Sequence, residues 1–340
     1  MARLKIAQVK EATSQEWDAA WEHCNYATYF QSRSWAEIWE TYSGYMRPEP
    51  KLIGFSDGLK AVLPLSRVSG GPDDLIKSYV SSPAGTFGGW VSHDALTVEH
   101  ARLLVHFMLN NLGDIVWLVN PYDENIFKAG IAPTDHQTHV LDLTPGFEAL
   151  YKNFHEGNVR SIKKAQQRGV TVRAAEGIEE WREYYKVYED SLDRWGSKAT
   201  SRYSWKLFEE IHKRSANSCL WLATLEGQII SGAIFFYAKK HVVGWHGATL
   251  KDYFSYGPVN MLLSEVIRDA ANNQYTWFDF NPSGGHEGVR AFKKSFDAKA
   301  VSCPLISARS ENGLFIKKVV RKLKRQTKSI LKSGVTYGNR

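Results

Sequence analysis

The chain is poor in several things, and each shortage excludes a class of protein. Cysteine occurs three times in 340 residues, at Cys24, Cys219 and Cys303, scattered and without metal-ligand spacing. An odd, scattered set supports no disulfide framework and points to a reducing compartment. No apolar run approaches the ~20 residues that a membrane span needs. Met1 to Glu11 lacks the apolar core of a secretory signal, so a cytoplasmic protein is expected. There is no Gly-x-Ser-x-Gly elbow and no Walker loop, which leaves hydrolase and NTPase readings without support. His136 and His139 form a His-x-x-His without a third ligand, so no metal is expected.

What the chain does contain is apolar and aromatic mass. Hydrophobic residues make up 43% and aromatics 13%, enough to bury real cores. A length of 340 is long for one core and fits two domains. The net charge of +7 is local: the stretch Leu314 to Lys332 carries eight Lys/Arg and no acid, and without it the remainder is −1 (7 − 8). The body is therefore not strongly basic, and DNA is not an expected partner. The stretch itself reads as a basic amphipathic helix with Ile316, Val319, Val320 and Leu323 in a stripe. Two readings stand: it rests on an anionic membrane surface, or it packs that stripe on the protein.

Both halves follow one order of elements. In the second, Val170 to Ala174 reads as a strand, and Glu179 to Asp193 and Tyr203 to Ala216 as helices. Cys219 to Leu225 and Gln228 to Tyr237 form a hairpin turned at Glu226-Gly227, and His241 to Ala248 is another strand. Val259 to Asn272 has apolar residues at helical spacing. Tyr275 to Phe280 is an aromatic strand that ends in Asn281-Pro282, then a glycine-rich loop with His286, then a helix bearing Phe292, Lys293, Lys294 and Phe296. Asp279 falls on the face of that strand opposite the phenylalanines. The first half repeats the plan: strand Leu4 to Val9, helices Ser14 to His23 and Ser32 to Tyr42, a hairpin at Asp57-Gly58 and a short strand Tyr79 to Ser82. A helix Thr97 to Leu112, capped by Ser92 or Asp94, and a strand ending in Asn120-Pro121 complete it. The ordered recurrence suggests an internal duplication. Phe147 to Arg168 reads as one connecting helix ended by Gly169.

The order of elements, with Phe30-Gln31-Ser32, Asp57-Gly58, Ser82-Pro83, Asn158 to Ala165 and above all Gly288 to Phe296 with its F-K-x-x-F pattern, resembles the FemABX / BioF2-like branch of the GNAT acyltransferase superfamily. The resemblance implies an α/β fold (α+β, mixed sheet) of two tandem GNAT-like domains, at 1–145 and 146–312, followed by the basic tail 313–340. It implies transfer of an acyl or aminoacyl group from acyl-CoA or aminoacyl-tRNA to an amine of an envelope or amino-sugar precursor, with no cofactor held permanently. The Gln/Arg-x-x-Gly-x-Gly/Ala pyrophosphate loop of simple GNAT enzymes is absent, and Leu250 to Asn260 holds its place with one glycine, Gly257. A rival reading is a catalytically degenerate binding module that docks on membrane or RNA through the tail.

Acyl transfer to an amine needs a neutral nucleophile, donors for the oxyanion and cations or N–H groups for the carrier's phosphates. The resemblance assigns donor contacts to Gly257, Val259 and Asn260 at a helix start, and to Phe292, Lys293 and Lys294. Lys293 is the expected catalytic cation. Asp279 is either a base or a buried acceptor of loop N–H bonds. His246, on the opposite cleft wall, is either a proton acceptor or a structural histidine. Arg194 and Trp195 border the acceptor side. Arg160, with Lys163, Lys164 and Arg168, lines a helical face that either contacts acceptor phosphate or is solvated.

Overall fold

The structure, a computed structural model, describes residues 3–69, 78–198, 202–283 and 287–308. Local chemistry sets the first elements. Strand β1 (Ile6–Glu11) leads into α1 (Ser14–His23), which Thr13 starts by a reciprocal capping box with Glu16. Helix α2 (Arg33–Ser43) begins on the Ser32 hydroxyl and stops at Gly44, whose φ of 68° only glycine adopts cheaply. There follow β2 (Met46–Pro48), β3 (Lys51–Phe55), β4 (Lys60–Leu63), β5 (Ser66–Val68), β6 (Ser78–Val80) and β7 (Phe87–Gly88). Helix α3 (Val98–Asn110), β8 (Asp114–Val119) and α4 (Glu124–Lys128) complete this run. The N-cap of α3 is Thr97, not the expected Ser92 or Asp94. Those two are drawn off to the backbone of Lys60, Ser92 donating to its carbonyl and Asp94 accepting its N–H.

The second run holds β9 (Gln137–Asp142), α5 (Phe147–Asn153), α6 (Glu156–Gln167), β10 (Thr171–Ala174), α7 (Ile178–Trp195), α8 (Trp205–Lys213), β11 (Ser218–Leu225), β12 (Gln228–Ala238) and β13 (His241–Thr249). Then come α9 (Pro258–Asn272), β14 (Trp277–Asp279), α10 (Glu287–Lys294), β15 (Lys299–Ser302) and β16 (Leu305–Ala308). The single connecting helix expected over 147–168 is two helices. Phe154 breaks it in an extended conformation to bury its ring against Phe147 and Phe296, and His155 caps α6 by accepting the Gly157 N–H.

Two compact units result, each built on its own sheet or sheets. Among the described residues the first comprises 3–136 and 302–308, the second 137–301. The divisions 1–145 and 146–312 differ from this at two strands. β9 pairs antiparallel with β14 inside the second sheet, and β16 returns to pair with β8 in the first unit. Strand membership is decided by ladder pairing, which sequence order does not dictate. The expected tail helix, the division 313–340 and His286 lie outside the described residues.

The first unit has a ladder β1-β3-β4 and a sheet ordered β16-β8-β6-β5-β2, with β7 also on β8. The second unit's sheet runs β10-β11-β12-β13-β14-β9-β15. Its core joins Leu141, Phe147, Ile162, Val242, Leu262, Val266, Phe278 and Phe296. Among the described residues no helix is long and apolar enough to cross a membrane.

Candidate active site

In each unit parallel pairing lies at the middle of the sheet, and it ends differently in the two. In the second unit β13 and β14 pair only over His241↔Trp277, Val242↔Phe278 and Val243↔Asp279. Beyond that point they diverge. A bulge in β13 opposite Ile234 and Phe235 inserts Trp245 as an unmatched residue, which bends the strand. Gly244 sits at the fork, where a Cβ would come within 3.2 Å of the Phe235 ring. The fork opens a cavity of about 120 Å³ lined by β12, β13, the start of α9, the end of β14 and α10. In the first unit the corresponding strands stay joined. β8 carries β6 on Asp114 to Val116 and β7 on Leu118 and Val119. The buried rings of Phe30, Trp35 and Phe87 pack together beside β7.

A buried acid stands at the C-terminal end of β14. Asp279 is fully buried, and its Oδ1 accepts the Thr138 hydroxyl from β9 and the Asn281 N–H at 2.7 Å. As expected from strand alternation, Asp279 lies opposite the core phenylalanines 278 and 280. Lys293 is 8% exposed, lines the cleft and donates from Nζ to the Asn281 carbonyl at 2.5 Å. Phe292 lines the same cleft, with its ring 5.2 Å from that of Phe296. Lys294, its neighbour in sequence, is exposed. One residue of helix phase thus separates a buried cation from a solvated one.

His246 lines the other wall but is shut in. The rings of Tyr188, Phe208 and Trp245 lie 4.5, 5.1 and 5.6 Å from its own. Burial pushes its pKa down to about 3, so the ring is neutral at ordinary pH. Its Nδ1 lies 2.7 Å from the Tyr184 hydroxyl, and which of the two donates depends on the imidazole tautomer. A second buried histidine, His139, has no partner for either ring nitrogen among the described residues. Burial, and then the charges of Lys293, Lys294 and Arg290, hold its pKa down to about 4.

The start of α9 is braced rather than bare. Gly257 is its N-cap at φ 74°, pressed so close to α6 that a Cβ would sit 2.8 Å from the Ser161 carbonyl oxygen. Asn260 donates to the Asn158 side chain at 2.8 Å, and Asn158 to Ser295 at 2.8 Å. Of the three residues singled out here, Val259 lines the cleft. Arg194 ends α7 next to the open end of β13, reaching the Thr249 carbonyl and Asp190, with its guanidinium over the rings of Trp195 and Phe254. Burial lowers its pKa and Asp190 opposes that shift. Arg160, Lys163 and Lys164 are exposed on α6, and Arg168, just past its end, donates to the Ser255 carbonyl with its guanidinium over the Tyr256 ring. Sequence reasoning did not single out Thr138 and Tyr184, which act here across long sequence separations. Asn281 was visible only as half of a recurring Asn-Pro strand end.

Residues 153–294, which include the forked strand pair and the helix that starts beside it, match the Acetyltransferase (GNAT) domain family. The second unit thus carries the domain of a GNAT-like transferase, and the protein is an enzyme of that kind. The whole chain is similar in fold to FemX, with a TM-score of 0.69 at 15% identity, covering 91% of this chain and 99% of that one. L-PGS from Bacillus licheniformis matches with a TM-score of 0.57 at 13% identity over 93% of this chain and 98% of its own. The C-terminal domain of a candidate lysylphosphatidylglycerol synthetase from Agrobacterium fabrum gives 0.56 at 12% identity, over 95% and 99%. No curated protein matches the sequence.

Proposed function

We propose that the protein moves an acyl or aminoacyl group from an activated carrier, acyl-CoA or aminoacyl-tRNA, to an amine of a cell-envelope precursor of the peptidoglycan or amino-sugar type. The observation that carries this reading is the fork between β13 and β14 with the Lys293 ammonium on its wall. A slot between diverging strands admits an extended carrier arm edge-on, where backbone groups freed from the ladder can meet it. The first turn of α9 offers the positive end of a 15-residue helix to the carrier's phosphates, with Gly257, Val259 and Asn260 forming that turn. Phe292 packs beside the arm. Lys293 supplies positive potential where the carbonyl oxygen gains charge, and low dielectric strengthens it there. Asp279, buried and doubly hydrogen-bonded, balances that charge. His246 stands on the opposite wall as a neutral imidazole.

On this reading Arg194 and Trp195, at the end of α7, and Arg160 on α6 serve the acceptor. An envelope acceptor is supported by the fold shared with FemX and with the lysylphosphatidylglycerol synthetase, and such an acceptor would bring the enzyme to the inner face of the membrane. The test is transfer of labelled acyl groups from CoA thioesters, or of labelled amino acids from aminoacyl-tRNA, to muropeptide and amino-sugar acceptors. Lys293→Ala is expected to lower turnover by roughly 10²-fold or more, the usual effect of removing one preorganised donor. Wild-type turnover in that variant would remove Lys293 from the mechanism.

A further inference from the structure

We propose that the carboxamide of Asn281 is the direct polar contact to the carbonyl group being transferred, and that Asp279 and Lys293 hold its backbone in place for that contact. This rests on the acyl-transfer reading above. Asn281 stands where β14 leaves the ladder, and it adopts φ 63°, a left-handed conformation uncommon outside glycine. The following Pro282 disfavours helical conformations at the residue before it, so the strain is compounded. The conformation persists because its peptide groups are gripped from both sides. The N–H donates to Asp279 Oδ1 at 2.7 Å and the C=O accepts Lys293 Nζ at 2.5 Å. Asp279 is itself tied across the sheet to Thr138.

A buried acid and a buried lysine around one strained peptide are costly for a loop with no task. What they position is a side chain whose carboxamide has no hydrogen-bond partner among the described residues, although Asn281 is only 6% exposed and lines the cleft. A carboxamide offers two N–H donors and one acceptor. An N–H at this place can follow the substrate carbonyl as it becomes an oxyanion. In that step the amine nitrogen bonds to the carbonyl carbon and the π pair moves to oxygen. The C–S or C–O bond to the carrier then breaks with its electron pair, the carrier takes up one proton and the new amide nitrogen releases one. Asn281 is then a catalytic residue; Asp279 acts on it as a positioning residue, and Lys293 does so in addition to the positive potential it lends the site.

The test uses two substitutions with different backbone tolerance. Asn281→Gly removes the carboxamide and accepts the positive φ without strain, and Asn281→Asp keeps the shape but cannot donate. Both are expected to retain the melting temperature and the donor KM while kcat falls by about 10²-fold. Wild-type kcat in Asn281→Gly, or in Asn281→Asp should the first not fold, overturns the inference. Lys293→Met is expected to lower kcat at unchanged donor KM and to shift the Asn281 side-chain amide resonances. A rise in KM alone would assign Lys293 to donor binding and overturn the positioning half. If the wild-type protein transfers from no donor, the functional reading falls by itself. The inference is then read from those resonances, identified by their loss in Asn281→Asp. A shift with acetyl-CoA but not with CoA supports it, and no shift overturns it.

Discussion

Single residues in this protein owe their chemistry to burial more than to type. His246 and His139 are ordinary imidazoles, yet burial drives them to about 3 and about 4 from a usual value of 6.5. A folded state that lowers a histidine pKa binds fewer protons than the unfolded chain. Its contribution to stability is complete above about pH 6.5 and is lost as pH falls toward the folded values. Urea midpoints are therefore expected to drop between pH 7 and pH 4.5. The slope should flatten in His246→Asn, whose side-chain oxygen occupies the Nδ1 position and keeps the Tyr184 bond. An unchanged slope would mean that His246 is protonated in the fold. The adjacent pair Lys293 and Lys294 makes the same point for cations: the sequence offers both as candidate donor contacts, and helix phase buries one and exposes the other.

Elements are where local signals proved sufficient and where one of them did not. The hairpin at Glu226-Gly227 forms with φ of 50° and 82° at its two turn residues, as an acid-glycine pair between alternating runs predicts. Helix α9 begins at Pro258 behind Gly257, again as its sequence suggests. The role of Gly257 was less visible. It reads as a phosphate-loop glycine, and the structure shows a glycine that also lets α9 touch the α6 backbone. Gly257→Ala combines a strained φ with a 2.8 Å clash against Ser161, and a loss of about 1–3 kcal/mol is expected in chemical denaturation. A smaller loss would show that α6 can retreat from α9.

At the scale of the whole chain the two units are each centred on their own sheet or sheets, and they differ in outcome. Among the described residues β13 and β14 fork in the second unit, whereas β8 keeps the parallel partners β6 and β7 in the first. Acyl-donor binding should therefore be confined to one unit. Hydrogen exchange with acetyl-CoA present is expected to slow in β13, the first turn of α9 and β14, with β6 to β8 unchanged. Protection in β6 to β8 would place a donor in the first unit and contradict the asymmetry.

Periodicity and turn pairs are written in neighbouring residues, and so the order of elements and a helix bearing Phe292, Lys293 and Lys294 could be read directly, while Phe296 falls just past that helix. The energetics of such signals involve contacts within a few positions. Three other features depend on partners far apart in the chain. Strand β9 was assigned by sequence order and placed by its ladder to β14. The fork in the second unit follows from one unmatched residue, Trp245, in a strand otherwise like its neighbours. The left-handed turn at Asn281 is held by Lys293, twelve residues on, and by Asp279, which Thr138 anchors from 141 residues away. No local propensity encodes such a clamp, because its hydrogen bonds exist only once the sheet has closed.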